Sequence, residues 1–301
     1  MSLRARLVAL VMVLAALGVS PAGGQVLRLD DRSPRSAQVL RRGAVEVSVQ
    51  QRRRRNEAGF EGLQPLVVVR LRGVAVGRML GARGAGGPAA VVQIAEMDPG
   101  NPYPEVLRSS FTGGAHCCNQ IQMLTSDRTG EPWREVRLGP FNGGARPAED
   151  PLRSGRDLIV DVDHRFLSCF GCDACSAAPA RLWPLQADAF IDVSHRPETR
   201  PLHRRNLRKM APWFEQKRAE SPSGFLAAYL ANKALVGEFK DGWERMLKRH
   251  DRTSDWGLKD CKGEQDYRGM CQGREIVYGS FPEALRAFLV ETGDLSRSAQ
   301  P

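Results

Sequence analysis

Beyond its first two dozen residues, the 301-residue chain has no apolar run long enough to cross a bilayer, which excludes a helical membrane protein. No Gly-Lys-Ser or Gly-Lys-Thr occurs, so the glycine-rich stretch Gly81 to Gly87 reads as a flexible turn and not as a phosphate-binding loop. The run Cys169, Cys172, Cys175 has no fourth cysteine before a proline, which removes an iron–sulfur cluster. No spaced set of acid, base and nucleophile stands out, which weighs against an enzyme. No cysteine follows the opening apolar run, so a lipoprotein anchor is not expected. Ala5 separates Arg4 from Arg6, so there is no twin-arginine pair.

What the N-terminus does have is a basic start, Met1 to Arg6, then thirteen apolar residues from Leu7 to Val19, then the small residues Ser20 to Gly24. That order predicts a cleavable Sec-type signal peptide over 1–24 and a soluble mature protein in the periplasm or outside the cell. An exported chain meets an oxidising compartment, so its seven cysteines read first as disulfides, with at least one left over. The formal charge of +10 reads as a solvated basic surface. Outside the cytoplasm its anionic partners are lipid head groups, cell-wall polymers or acidic proteins, and nucleic acid is not expected.

One stretch concentrates the chemistry: Phe111-Thr112-Gly113-Gly114-Ala115-His116-Cys117-Cys118. Strand-like runs, Glu105 to Phe111 and Gln120 to Thr125, flank it. Gly113 and Gly114 allow a tight turn or a close backbone approach. An extended backbone after them puts His116 and Cys118 on one face and Cys117 on the other. His116 and Cys118 are thus candidate transition-metal ligands, or a histidine-activated thiol. The favoured reading is a turn anchored by disulfides, because adjacent cysteines bond to each other only with strain.

The segment Pro104-Glu105-Val106 followed by this motif resembles an uncharacterised family of exported bacterial proteins with an aromatic-Ser/Thr-Gly-Gly-Ala-His-Cys-Cys signature. Arg165-Phe166, Ala174 to Pro179 and Phe190 to Val193 are similar as well, so the resemblance covers about Ala90 to Val193. It implies an exported location and a β architecture, distantly like the FG-GAP and VCBS repeats of β-propellers. In that family the positions of Cys169, Cys172 and Cys175 are not fixed as cysteine, which the resemblance counts against a metal role for them.

The turn before the motif, Glu96 to Glu105, resembles the calcium loop of those repeats. Asp98, Asn101 and Glu105 are its candidate calcium ligands. Three prolines interrupt the loop, and a plain proline-rich turn with no cofactor is the favoured reading. Cys169, Cys172 and Cys175 suggest half a zinc site that His116, Cys117 or Cys118 would complete. Export favours instead one or two disulfides joining Cys117 or Cys118 to Cys172 or Cys175.

Alternating apolar residues predict strands at Ala44 to Gln50, Pro65 to Met79, Ala90 to Ala95, Trp133 to Leu138, Leu158 to Asp163, Arg181 to Leu185 and Phe190 to Val193. Gln25 to Arg42 reads as a loosely held start and Arg52 to Arg55 as an exposed loop. On the strand from Leu158, Asp161 and Asp163 share a face with Ile159, where pairing with arginines is the favoured reading.

After His195 helical spacing takes over. Ser221-Pro222 marks a helix start and Gly237 a stop. Ser280 and Glu283 form a capping box for a last helix that Gly293 ends. Cys261 and Cys271 read as a local disulfide in a polar loop. Arg204, Arg205, Arg208 and Lys209 form the candidate surface for an anionic partner. The expected architecture is α+β: a signal peptide (1–24), an antiparallel β-domain (26–195) that is few-bladed and propeller-like or a sandwich, and a smaller helical domain (197–301). The expected function is an exported binding or scaffolding protein; the alternative is a metal- or thiol-dependent enzyme centred on His116, Cys117 and Cys118.

Overall fold

The computed structural model describes residues 25–30, 32–34, 36–55, 61–81, 90–111, 117–215, 223–264 and 270–298, with the backbone alone at 54, 61, 62, 117, 118, 214 and 215. The expected signal peptide, Thr112 to His116 of the motif, the Ser221-Pro222 cap and most of the Gly81–Gly87 turn lie outside the described residues.

Period-two alternation builds the first half of the chain. In β3 (Val45–Arg55) the valines 45, 47 and 49 point inward, and in β4 (Glu61–Leu71) Val67, Val69 and Leu71 do the same. The register sets Val47 opposite Val69 and Val49 opposite Val67, so the apolar faces coincide. β2 (Gln38–Arg42) and β5 (Val74–Leu80) flank this pair in a four-stranded antiparallel sheet. A second antiparallel sheet has the order β1-β6-β7-β8-β9, from β1 (Gln25–Leu29), β6 (Ala90–Ala95), β7 (Glu105–Phe111), β8 (Cys117–Ser126) and β9 (Trp133–Asn142).

Val92, Ile94, Val106 and Leu124 of the second sheet pack against the valines of the first. The two sheets therefore form a sandwich, not blades about an axis. Gly77 lets β5 close on the second sheet, because a Cβ there would sit 2.7 Å from Leu124. The other face of the second sheet is also covered: Leu107, Ile121 and Met123 meet Phe141, Ile159 and Leu185. Burial on both faces explains why β6 and β7 are apolar or paired almost end to end. The cover comes from two short hairpins, β10 (Ile159–Val162) with β11 (Ala180–Trp183), and β12 (Leu185–Gln186) with β13 (Ala189–Phe190).

Among the described residues four α-helices follow: α1 (Arg200–Glu215), α2 (Ser223–Leu235), α3 (Phe239–Leu247) and α4 (Phe281–Thr292). α2 is apolar on nearly every side and is buried accordingly. Gly237 (φ +84°) and Gly293 (φ +82°) take the left-handed turns that end α2 and α4. Phe166 and Phe170, from the segment between β10 and β11, enter the helical core. Phe170 stands edge-on to Phe281 and Phe288, with ring centroids 5.2 and 5.3 Å away. The α+β architecture read from the sequence is the one observed.

Several local expectations are corrected. Gln25 to Arg42 is not a loose start but carries β1 and β2, whose backbones pair with β6 and β3. Arg52 to Arg55 is not a loop: it is the end of β3, paired out to Arg55–Glu61, so ladder hydrogen bonds outweigh the repulsion of like charges. Pro65 to Met79 spans two strands, divided at the Arg72-Gly73 turn (φ +50° and +87°). The capping box does not form as expected, because Glu283 reaches one residue past the cap. Glu283 accepts from the Gly279 amide at 2.9 Å, while Ser280 makes no capping bond. The polar loop around Cys261 holds a hairpin, β14 (Lys259–Lys262) with β15 (Arg274–Val277).

Candidate functional site

Among the described residues, a dense set of ionisable side chains lies on the seam between the β-structure and the helices. β10 begins it: Ile159 packs into the core, and Asp161 and Asp163 two and four residues on face the same way. Asp163, 4% exposed, accepts from two arginines. Arg165 reaches it through Nε (2.9 Å) and a terminal nitrogen (2.6 Å), and Arg181 of β11 reaches it from the other side through Nε (3.0 Å) and a shorter contact. Burial alone would push the Asp163 carboxyl up, but the two guanidiniums hold it below its ordinary range.

Both arginines also donate to the carbonyl of Thr292, at 3.2 and 3.4 Å, where the negative end of α4 favours them. Arg181 adds Asp192 at 3.4 Å and His195 at 3.2 Å, and His195 in turn meets buried Asp294 at 3.1 Å. The network thus ties β10 and β11 to the last turn of α4.

A second branch leads back to the central motif. Asp161 pairs with Arg146 and with His164 Nε2 (2.9 Å). The Arg146 guanidinium donates to the Asn142 carbonyl at 2.7 Å, and its amide donates to Ser109 Oγ at 3.0 Å. Ser109 donates to Asn119 Oδ1 at 2.7 Å. Asn119 follows Cys118 directly and sits opposite Phe141, while Cys117 sits opposite Asn142. The exit strand of the glycine–histidine–cysteine motif is therefore joined to the seam through Ser109 and Arg146.

Two cavities open along it. One, of about 290 Å³, lies among Phe141, Trp183, His164, Arg165 and Arg181. The other, of about 470 Å³, runs between α1 and the β10–β11 hairpin, with Arg146, Arg205 and Lys209 set against Asp161 and Glu149.

The residues singled out from sequence fall in different places. His116 lies outside the described residues; Cys117 and Cys118 start β8, and their side chains are likewise outside. Cys172 and Cys175 are bonded to each other, with Cα atoms 4.9 Å apart. This corrects the expected crosslink to Cys117 or Cys118, because neither sulfur is left to make it. Cys261 and Cys271 are bonded across the β14–β15 hairpin, Cα atoms 5.5 Å apart. Cys169 is the one described cysteine outside a disulfide. Burial, then Asp260 and Glu291, push its thiol up to about 12, far from a nucleophilic thiolate. Among the described residues, no three His, Cys, Asp or Glu side chains come together as a metal set.

Of the candidate calcium ligands, Glu105 is fully buried on β7 and spends both oxygens on the loop before it and on Thr125 of β8. Oε2 accepts from the amides of Met97 (2.7 Å) and Asp98 (3.1 Å); Oε1 accepts from Asn101 Nδ2 (2.5 Å) and Thr125 Oγ1 (3.1 Å). Asp98 turns instead to the Gly100 amide at 3.0 Å. Burial raises the Glu105 pKa despite these donors. A carboxyl raised on folding binds protons better folded than unfolded, so its contribution to stability falls as pH rises above the unfolded value of about 4.3. Glu105→Ala orphans four donors and is expected to cost about 2–3 kcal/mol, measured by urea unfolding. A loss under about 0.5 kcal/mol, or an unfolding midpoint of the native protein that rises with added calcium, would count against this clamp role.

The basic quartet on α1 divides. All four are exposed, but Arg205 also donates to the Pro151 carbonyl at 3.0 Å and lines the larger cavity with Lys209. The sequence reading missed Arg146, Arg165, Arg181, His195 and Asp294. Its one usable signal was the Asp161–Asp163 alternation behind Ile159. It also missed Arg108, fully buried inside the sandwich on neutral partners, Gln122 and Ser110. Burial lowers that guanidinium to about 10.

The family described as the sll0997 C-terminal domain matches residues 203–293. The chain is 32% identical over 212 residues to the uncharacterized protein y4bJ of Sinorhizobium fredii, covering 68% of its own length and 32% of that relative. No solved structure matches it. It is 44% identical over 256 residues to the probable thylakoid lumen protein sll0997 of Synechocystis sp., covering 84% of its own length and 74% of the relative. The chain belongs to the family of that sll0997 protein.

Proposed function

We propose that the protein is a non-catalytic binding or scaffolding protein working outside the cytoplasm. Its partner is an anionic envelope component or another envelope protein. The observation that carries this is the way the seam spends its charges: Asp163 is shared by Arg165 and Arg181, which also bond the α4 terminus, and Asp161 pairs with Arg146 and His164. Groups tied up in this way brace a frame. A relative named for the thylakoid lumen and two bonded cysteine pairs support the compartment. Arg204 and Arg208, beside the cavity lined by Arg205 and Lys209, supply the partner surface.

The test is thiol and metal analysis of protein isolated from the periplasm. Denatured, unreduced protein is expected to titrate no thiols beyond Cys117, Cys118 and Cys169, and to carry no stoichiometric zinc or copper. A bound metal that a folded His116→Ala variant loses would overturn the proposal in favour of an enzyme centred on His116, Cys117 and Cys118.

A further inference from the structure

The outer face of the four-stranded sheet is a surface the seam does not use. On β3 the residues between the inward valines are Glu46, Ser48, Gln50 and Arg52. The register carries that face across the sheet. Arg41 and Arg70 flank Glu46, Val39 and Val68 flank Ser48 with Arg78 beyond, and Leu66 then Leu80 follow Gln50. Arg41 and Arg70 share the single carboxylate, Glu46, at 2.9 and 4.0 Å. Among the described residues no carboxylate pairs with Arg52 or Arg78, and both are exposed. Between these guanidiniums Val39 and Leu80 stand 43% and 52% exposed. Past β2 and β5, β3 and β4 continue as a two-stranded ribbon on which the alternation keeps Arg52 on this face.

We propose that this face docks the protein on an anionic lipid surface. Exposed guanidiniums are drawn to acidic head groups. Exposed aliphatic side chains gain from the head-group–acyl boundary, whereas a soluble polyanion offers them nothing. The sheet face presents both kinds side by side without unfolding anything. The site is separate from the α1 surface, so either can fail alone.

Sedimentation of the full chain with vesicles tests it. Binding is expected to vesicles of phosphatidylcholine with 30% phosphatidylglycerol and not to phosphatidylcholine alone, and to fall at least tenfold between 0.1 and 0.5 M salt. Arg52→Glu with Arg78→Glu should weaken it by about tenfold or more. Leu80→Ser should weaken it several-fold at unchanged charge while leaving heparin binding alone. Circular dichroism confirms that these surface variants fold. Equal binding to both vesicle types overturns the proposal. So does an equal loss on Arg204→Glu with Arg208→Glu, which would assign the binding to α1 or to net charge. Leu80→Ser without effect on vesicles overturns it in favour of an acidic macromolecule.

Discussion

Asp163→Ala is expected to cost about 3–5 kcal/mol of folding stability, because it leaves two arginines at the seam without their common partner. Arg181 is nearly as buried as Asp163, at 5% exposed, so water does not replace the lost carboxylate. Part of the loss should return in Asp163→Ala with Arg181→Met, since removing the stranded charge removes its desolvation penalty. Urea unfolding of the single and double variants measures both. A single-variant loss under about 1 kcal/mol would mean that Asp192 and the Thr292 carbonyl satisfy Arg181 without Asp163.

The same pair fixes a pH dependence. The Asp163 carboxyl is held below its ordinary value when folded, so the unfolded chain binds the proton more tightly. Its contribution is therefore complete above the unfolded value of about 3.9 and is lost as pH falls through the lower folded value. The gap between native protein and Asp163→Ala should close toward acid. Glu105 runs the other way, because its carboxyl is raised on folding.

How much of this could be read from the sequence depended on the range of each interaction. β6 and β7 match the runs read as strands residue for residue, because a short run rich in β-branched and apolar residues and bounded by turn residues is a local pattern. β1 and β2 escaped notice because their arginines hide the alternation and the pairing comes from partners elsewhere in the chain. The arginine run of β3 was misread for a related reason: the ladder to β4, not the side chains, makes it a strand. At the seam, Asp161 and Asp163 were visible as a pair on one face. Their frame was not, because Arg181 and Arg165 reach Thr292 across 111 and 127 residues. Cys261 and Cys271 bonded as read, but the expected crosslink from Cys172 or Cys175 failed differently. Spacing alone allows a Cys-x-x-Cys pair to bond internally or to reach away, and only the turn at Cys172–Cys175 decides it.

Phe170→Ala is expected to cost about 3–5 kcal/mol and, more tellingly, to wake the neighbouring thiol. Phe170 is 1% exposed and fills the space between Phe281, Phe288 and the loop at Gly257. That loop lies so close that a Cβ on Gly257 would fall 2.4 Å from the Phe170 ring and 2.6 Å from the Cys169 carbonyl. A cavity of about 200 Å³ already borders Phe170, Cys169 and Tyr278. Removing the ring enlarges an existing opening, so water enters and the surroundings need not collapse. Burial is the first cause of the Cys169 thiol standing at about 12, and hydration should return it toward the ordinary value of about 8.5. The thiolate fraction at pH 8, and with it the alkylation rate, should then rise by about two orders of magnitude. Alkylation of the folded variant, well below its unfolding midpoint, separates this from thiol exposed by global unfolding. Lost stability with an unchanged alkylation rate would show that Asp260 and Glu291, and not the aromatic packing, keep Cys169 protonated. An unchanged stability would place the helical core's anchor elsewhere than at the segment joining β10 to β11.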